Sequence, residues 1–196
     1  FATSAPGGIT DLLPRVAFIQ HGADLERIEF INIGGSGAKT QALLAGKVDA
    51  GLISLEFQPT IEAEPGFHVF ANARELLPNF VVGTVAAHQK FIRDNPDALT
   101  RYWKGMIRGT RFVNDPKNKD EVIDLIASRI QLKELERAYE LYKASKVWID
   151  DGRVSSESLD YLQQTNVEYG GQQAKIPMDR LYNGRFVEEA NASLAG

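Results

Sequence analysis

Cysteine is missing from all 196 residues. Its absence removes disulfides, thiolate metal ligands and thiol nucleophiles. A cytoplasmic and a periplasmic home suit such a chain equally well. An excess of positive charge is missing too. The 22 Lys and Arg stand against 26 Asp and Glu, a formal net charge of −4. That argues against a nucleic-acid partner, which demands a basic face. No apolar run reaches the ~18 residues of a membrane span, so direct membrane insertion is not expected. Histidine is scarce: His21, His68 and His88 lie on different predicted elements without metal-ligand spacing. No metal and no cofactor is expected from them. Internal repeats and low-complexity tracts are absent as well.

What is present is an alternation of strand-like and helix-like segments over the first 80 residues. "FAT" reads as the end of a strand, and "SAPGG" as a turn made of chain breakers. From Ile9 to about Gly22, the residues Leu12, Leu13, Val16, Ala17 and Ile19 recur at helical spacing. Pro14 lies inside that pattern, either in the first turn or as a kink. "RIEFINI" and "VDAGLIS" read as strands on either side of the short helix "AKTQALLAG". "FQPTIEAEPG" is a short helix or turn, and "FHVFAN" a further strand. The order β-α-β-α-β-α-β implies a parallel sheet with crossover helices. "NFVVGTVAAHQKF" adds one more strand-like run.

Beyond it the chain turns helical. Asn95 and Pro96 open a helix as cap and first residue. Its expected apolar face carries Leu99, Tyr102, Trp103, Met106, Ile107 and Val113. A second helical stretch starts at Asp115, and a third carries Leu132 to Tyr142. A fourth is capped by Ser155, and short helical turns close the chain. The charges of 117–143 read as a solvated helix face. These helices need a surface to cover: either they form a bundle, or they sit on a second sheet whose strands lie outside this chain. Trp103 reads as core and Trp148 as packing in a loop. Asp49 reads as a turn or cap residue.

The glycine-rich run "GGSGAKT" brings several motifs to mind and matches none. A phosphate loop needs glycine at positions held here by Ile33 and Ala38. The dinucleotide pattern fits Gly35 and Gly37 and then meets Thr40. The nucleophile elbow G-x-S-x-G fits through Gly37 and fails at Ala38. The plain reading is a small-residue turn at a strand end, and the free N–H groups of the helix it starts attract anions. Ligands of open parallel sheets bind beyond the carboxyl ends of the strands. Three such ends converge: Ser4 to Gly8, Gly34 to Gly37, and Ser54 to Glu56. Two helix N-termini with the hydroxyls of Ser4, Thr10 and Ser36 form a cradle for a carboxylate, sulfonate or phosphate. The competing reading is that these residues are only efficient turns and caps.

In their order and spacing, "SAPGGITDLL", "GGSGAKTQALLAGKVDAGLIS", "EPGFHVFAN", "FIRDNPDALTRYWKGMIRGTRFVNDPKNKDEVIDLIA", "WIDDGRVSSESLDYLQQ" and "DRLYNGRFVEEA" resemble periplasmic substrate-binding proteins of ABC transporters. The closest branch is the nitrate/sulfonate/taurine and thiamine-precursor type. The resemblance implies an α/β, type II periplasmic-binding fold. Residues 1–80 would form the second α/β lobe. Residues 81–196 would supply the return hinge strand, near 81–87, and the mainly helical C-terminal part of the first lobe. It places Ser4, Gly7, Gly8, Thr10, Gly35, Ser36, Ser54 and Glu56 on the ligand side of the cleft. Gly8 stands where the family usually has serine. The implied function is a non-enzymatic receptor, periplasmic or lipid-anchored outside the cytoplasmic membrane. It would capture a small anionic or zwitterionic solute by lobe closure and deliver it to the permease. The opening sheet of the first lobe, on the order of 80–120 residues, is not in this sequence, which is therefore expected to be part of a longer protein.

Three alternatives compete. The effector domain of a LysR-type regulator shares the architecture, but its second half would repeat the β-α alternation. A thiamine-pyrimidine synthesis enzyme shares the fold, but relies on a cysteine cluster. A serine hydrolase would pair Ser36 with His68 or His88.

Overall fold

A computed structural model describes residues 1–195. Its sheet is small. β1 (Ala2–Thr3) pairs in parallel with β2 (Ile31–Asn32), in the register Ala2 to Ile31 and Thr3 to Asn32. On the other side of β1, Ala2 forms a parallel bridge to Gly51, and its N–H donates to the Ala50 carbonyl at 2.8 Å. Three parallel segments thus lie in the order 31–33, 1–3, 50–52. Ala2 is fully buried at the centre. Gly51 is required by that approach: a Cβ there would lie 3.0 Å from the Ala2 Cβ.

Each segment runs into a helix. α1 (Ile9–Gln20) follows the first and α2 (Ser36–Leu44) the second. A 3₁₀ turn (Leu55–Phe57) and α3 (Gln58–Glu62) follow the third. α1 buries Leu12, Leu13 and Val16. Pro14 sits in its second turn, and the helix continues through it. Ala2, Ala42, Leu43, Val48 and Ile61 form one apolar cluster. At about 25 cal/mol per Å² of apolar area, such clusters supply the main drive for folding.

The rest of the described chain is helical: α4 (Ala73–Leu76), α5 (Gln89–Asp94), α6 (Pro96–Asn114), α7 (Lys119–Ala127), α8 (Leu135–Ala144), α9 (Ser156–Tyr169), α10 (Met178–Leu181) and α11 (Arg185–Leu194). No strand occurs within 95–195, so the alternation that a regulator effector domain would show there is missing. Ser155 caps α9 as expected, accepting the Ser158 N–H at 3.0 Å. Asn95 holds the cap position of α6, but its side chain makes no cap bond. α6 packs along α11, which buries Phe186, Val187 and Ala190. A second cluster joins the two ends of the chain: Leu12, Leu13, Val16, Leu77 and Phe80 pack with Tyr161 and Leu162 of α9.

Several expectations need correction. "RIEFINI" contributes only Ile31–Asn32 to the sheet, because Leu25–Arg27 closes into a 3₁₀ turn capped by Asp24. "FHVFAN" and the run 81–87 are not strands. A strand exists through ladder hydrogen bonds to a neighbour, and neither run has one among the described residues. Phe67 packs partly against the first apolar cluster, but other apolar side chains of the two runs stay in solvent: Phe70 is 63% and Val82 72% exposed. The fold is therefore α/β in its first third and mainly helical overall. The apolar face of α6 is also narrower than its spacing implies. Leu99 and Ile107 are buried, Trp103 is half-buried, and Tyr102 and Met106 are exposed.

Candidate functional site

The carboxyl ends of the three parallel segments meet, and side chains from each bond across to the others. The Ser36 and Ser54 hydroxyls are 2.8 Å apart, and the Ser54 N–H donates to Ser36 Oγ at 3.1 Å. Thr10 Oγ1 accepts the Ser4 N–H at 2.9 Å, tying the first turn of α1 to the end of β1. Asp11 fixes the loop between them. Its carboxylate accepts the Gly7 N–H and the Arg15 guanidinium, both at 2.9 Å. Gly7 takes a left-handed φ of +70° to make that turn. Gly8 is the N-cap of α1, and a Cβ on it would press to 3.2 Å from the Ala5 carbonyl.

The helix starts are open. Gly35 is the N-cap of α2 and has no side chain to cap it. The first helical bond there runs from the Lys39 N–H to the Gly35 carbonyl at 3.1 Å. The N–H groups of Ser36, Gly37 and Ala38 precede it and have no intrahelical acceptor. Ile9 and Thr10 stand in the same relation to α1, whose first bonds run to the Gly8 carbonyl. Two helix dipoles thus present positive ends at one edge of the sheet.

Seven of the eight predicted residues therefore share this edge: Ser4, Gly7, Gly8, Thr10, Gly35, Ser36 and Ser54. Glu56, the eighth, stands two residues beyond Ser54 and is bonded to the helical half. Its carboxylate accepts the Tyr142 hydroxyl of α8, and the cap of the turn it belongs to is Ser54 instead. Tyr142 stacks on Trp148 with ring centroids 5.0 Å apart. Burial, aided by the Glu56 carboxylate, raises the Tyr142 phenol above its ordinary range. Glu56 is a tether to the helical half, because a long carboxylate next to an amphipathic phenol makes a strong charge-assisted bond.

The residue that sequence reasoning missed is Lys39. It is the lysine of the run "GGSGAKT", which would end a phosphate-loop pattern if its glycines were in place. In the structure its side chain is fully buried. Its Nζ donates to Ser4 Oγ at 3.1 Å and bonds to nothing else among the described residues. Burial lowers its pKa from the ordinary 10.5. The signal was available: Lys39 lies three residues after Ser36, on the same face of the helix.

The chemistry of this edge is one-sided. Ser4 Oγ accepts from Lys39, so its own O–H is free to donate. Ser36 Oγ accepts the Ser54 N–H, so the serine pair also keeps one O–H to donate onward. The helix-start N–H groups can only donate and the free hydroxyls can donate, which suits an acceptor-rich anion. Histidines stand elsewhere: His21 and His68 are exposed, and His88 Nδ1 accepts the Lys90 N–H. Ser36 thus has no histidine bonded to it as a base, and the nucleophile reading loses its partner. Asp49 is exposed and bonds to nothing at this edge. The groove between α6 and α11, about 350 Å³, is lined by Arg111, Arg153, Glu188 and Asn191. Its Arg153 is committed to Asp151 and Glu188 at 2.9 and 2.7 Å, so it offers little free charge.

The model of the NMT1-like family matches residues 1–127, which hold the whole of this edge. That match is consistent with the nitrate/sulfonate/taurine type of substrate-binding protein. No curated protein and no solved structure matches the chain.

Proposed function

The chain belongs to the NMT1-like family, and from that premise we propose that it is the solute-binding receptor of an ABC importer. It captures a small anionic or zwitterionic organic solute and hands it to the permease. The observation that carries the reading is the cluster of unopposed donors at the strand ends. Ser36 and Ser54 bond to each other, Ser4 bonds to Lys39 of α2, and α1 and α2 both start at this edge. A carboxylate, sulfonate or phosphate accepts several such bonds at once.

In this reading residues 1–80 are the second lobe, and 81–196 are the return hinge strand and the helical part of the first lobe. The unpaired run 81–87 supports it, since a β-branched segment calls for neighbours. Ligand contacts made by both lobes only in the closed state shift the hinge equilibrium toward closure. The protein works outside the cytoplasmic membrane, in the periplasm or on a lipid anchor. No helix of the described residues is long and apolar enough to cross a membrane.

The test is Ser36→Leu in the complete protein. A bulky apolar side chain at the first turn of α2 blocks the N-terminus and removes the Ser54 bond. The expected result is a loss of about tenfold or more in affinity, the worth of one charge-assisted bond, with circular dichroism unchanged. Unchanged affinity for the solute found by thermal-shift screening overturns the site.

A further inference from the structure

We propose that Lys39 is the proton-carrying counter-charge of this site: the bound anion pairs with the Lys39 ammonium through Ser4, and a proton is taken up with it. This rests on the receptor reading and names the charge of the solute and the regulation of its binding.

Three observations carry it. First, Lys39 is fully buried and has a single neutral partner, Ser4 Oγ at 3.1 Å. An ammonium has three donors, so two have no acceptor among the described residues. Second, no counter-ion is within reach. Lys39 takes part in none of the ion pairs of the described residues. The acids of the surrounding elements are engaged or exposed. Asp11 of α1 is held by Arg15 and Gly7, Glu56 by Tyr142, and Glu62 of α3 by Gln58. Asp49 is exposed, and α2 and β1 carry no acid. Third, the adjacent Thr40 Oγ1 is buried without a hydrogen-bond partner. α2 therefore carries a second under-satisfied buried polar side chain next to Lys39.

An isolated buried charge is disfavoured, so the free-site Lys39 ammonium gives up its proton more readily than an exposed lysine does. An anion at the open helix starts opposes that loss. Ser4 relays the attraction: it accepts from Lys39 and donates its own proton toward the anion, and such chains strengthen cooperatively. The proton balance is simple. Between the pKa values of the free and the anion-bound site, the amine takes one proton from water or buffer as the anion binds, and the N–H bond so formed is the only covalent change. Above the lowered pKa of the free site, affinity therefore falls as pH rises, until the anion-paired ammonium itself titrates.

The experiment uses inorganic sulfate as the probe, at constant ionic strength, on the complete protein. Titration calorimetry in two buffers of different ionisation enthalpy counts the protons taken up by the unmutated protein at steps of pH from 7 to 10. Uptake on sulfate binding is expected within that range, and zero at every pH overturns the proposal. Equilibrium dialysis then compares wild type, Lys39→Met and Ser36→Leu. Lys39→Met is expected to weaken sulfate about tenfold, one charge-assisted bond, and to flatten the pH dependence. Weakening by Ser36→Leu alone overturns the role of Lys39 and leaves the anion site standing. Saturable binding that ignores both substitutions, or no binding by wild type, overturns the site and the proposal with it.

Discussion

Replacing Lys39 with methionine should make the protein more stable, and the gain should depend on pH. Methionine keeps the length and the apolar stem of lysine and removes the charge. The side chain is fully buried, so the ammonium has lost its water. Ser4 returns one hydrogen bond at 3.1 Å, worth about 1.5–3 kcal/mol when a charged group makes it. The burial cost of an unpaired ion is several kcal/mol. The balance is a gain of about 1–3 kcal/mol for Lys39→Met near neutral pH, the range found when buried charges give way to apolar groups. The sign of the pH dependence follows from linkage. Burial lowers the Lys39 pKa below 10.5. Below the lowered value both folded and unfolded chains hold the proton, and the burial penalty is present in full. Between that value and 10.5 the unfolded chain binds more protons, so wild-type stability rises with pH. The advantage of the variant should therefore shrink as pH approaches 10.5. Urea denaturation of both proteins from pH 6 to 10 measures it, with the variant cancelling every other titrating group. A variant no more stable than wild type, by an amount constant with pH, refutes the claim that Lys39 is buried without a counter-ion.

Three further substitutions probe the frame around the site. Tyr142→Phe leaves the half-buried Glu56 carboxylate without its phenol donor and should cost about 1–3 kcal/mol. A double-mutant cycle with Glu56→Gln should show coupling above 0.5 kcal/mol, and additivity would break the tether. Asn191→Ala removes two bonds from a buried amide, to the Asp151 carbonyl at 2.8 Å and the Val187 carbonyl at 3.0 Å. A loss of about 1–3 kcal/mol is expected in urea melts, and a change within 0.5 kcal/mol contradicts the burial of that amide. Gly152→Ala meets two obstacles, a left-handed φ of +66° and the Trp103 ring 2.9 Å from the new Cβ. The left-handed term alone costs about 1–2 kcal/mol, and a lowered melting temperature should come with a shift in tryptophan fluorescence.

What the sequence disclosed, and what it withheld, follows from how far each signal reaches. The starts of α1 and α2 were legible because glycines and serines punctuate locally, and the convergence of Ser4, Ser36 and Ser54 followed from parallel topology. The strands were overread because β-branched runs announce a preference and not a partner. "FHVFAN" and 81–87 have the composition of strands, but no ladder forms beside them. Pairing is a long-range property, and composition cannot supply the neighbour. The tether made by Glu56 was illegible for the same reason. Its fate is decided by Tyr142, 86 positions away, and no local pattern carries that information. Lys39 is the instructive case. A lysine on a short helix is exposed by default, and motif matching set it aside when the glycines failed. Helical spacing already put it on the face of Ser36, and that face points at the strand ends. Counting donors and acceptors on that face, instead of matching patterns, leads to a cation with nothing opposite it. An unopposed buried charge is costly to keep, and its presence among free N–H groups and hydroxyls is the strongest reason to look for an anion there.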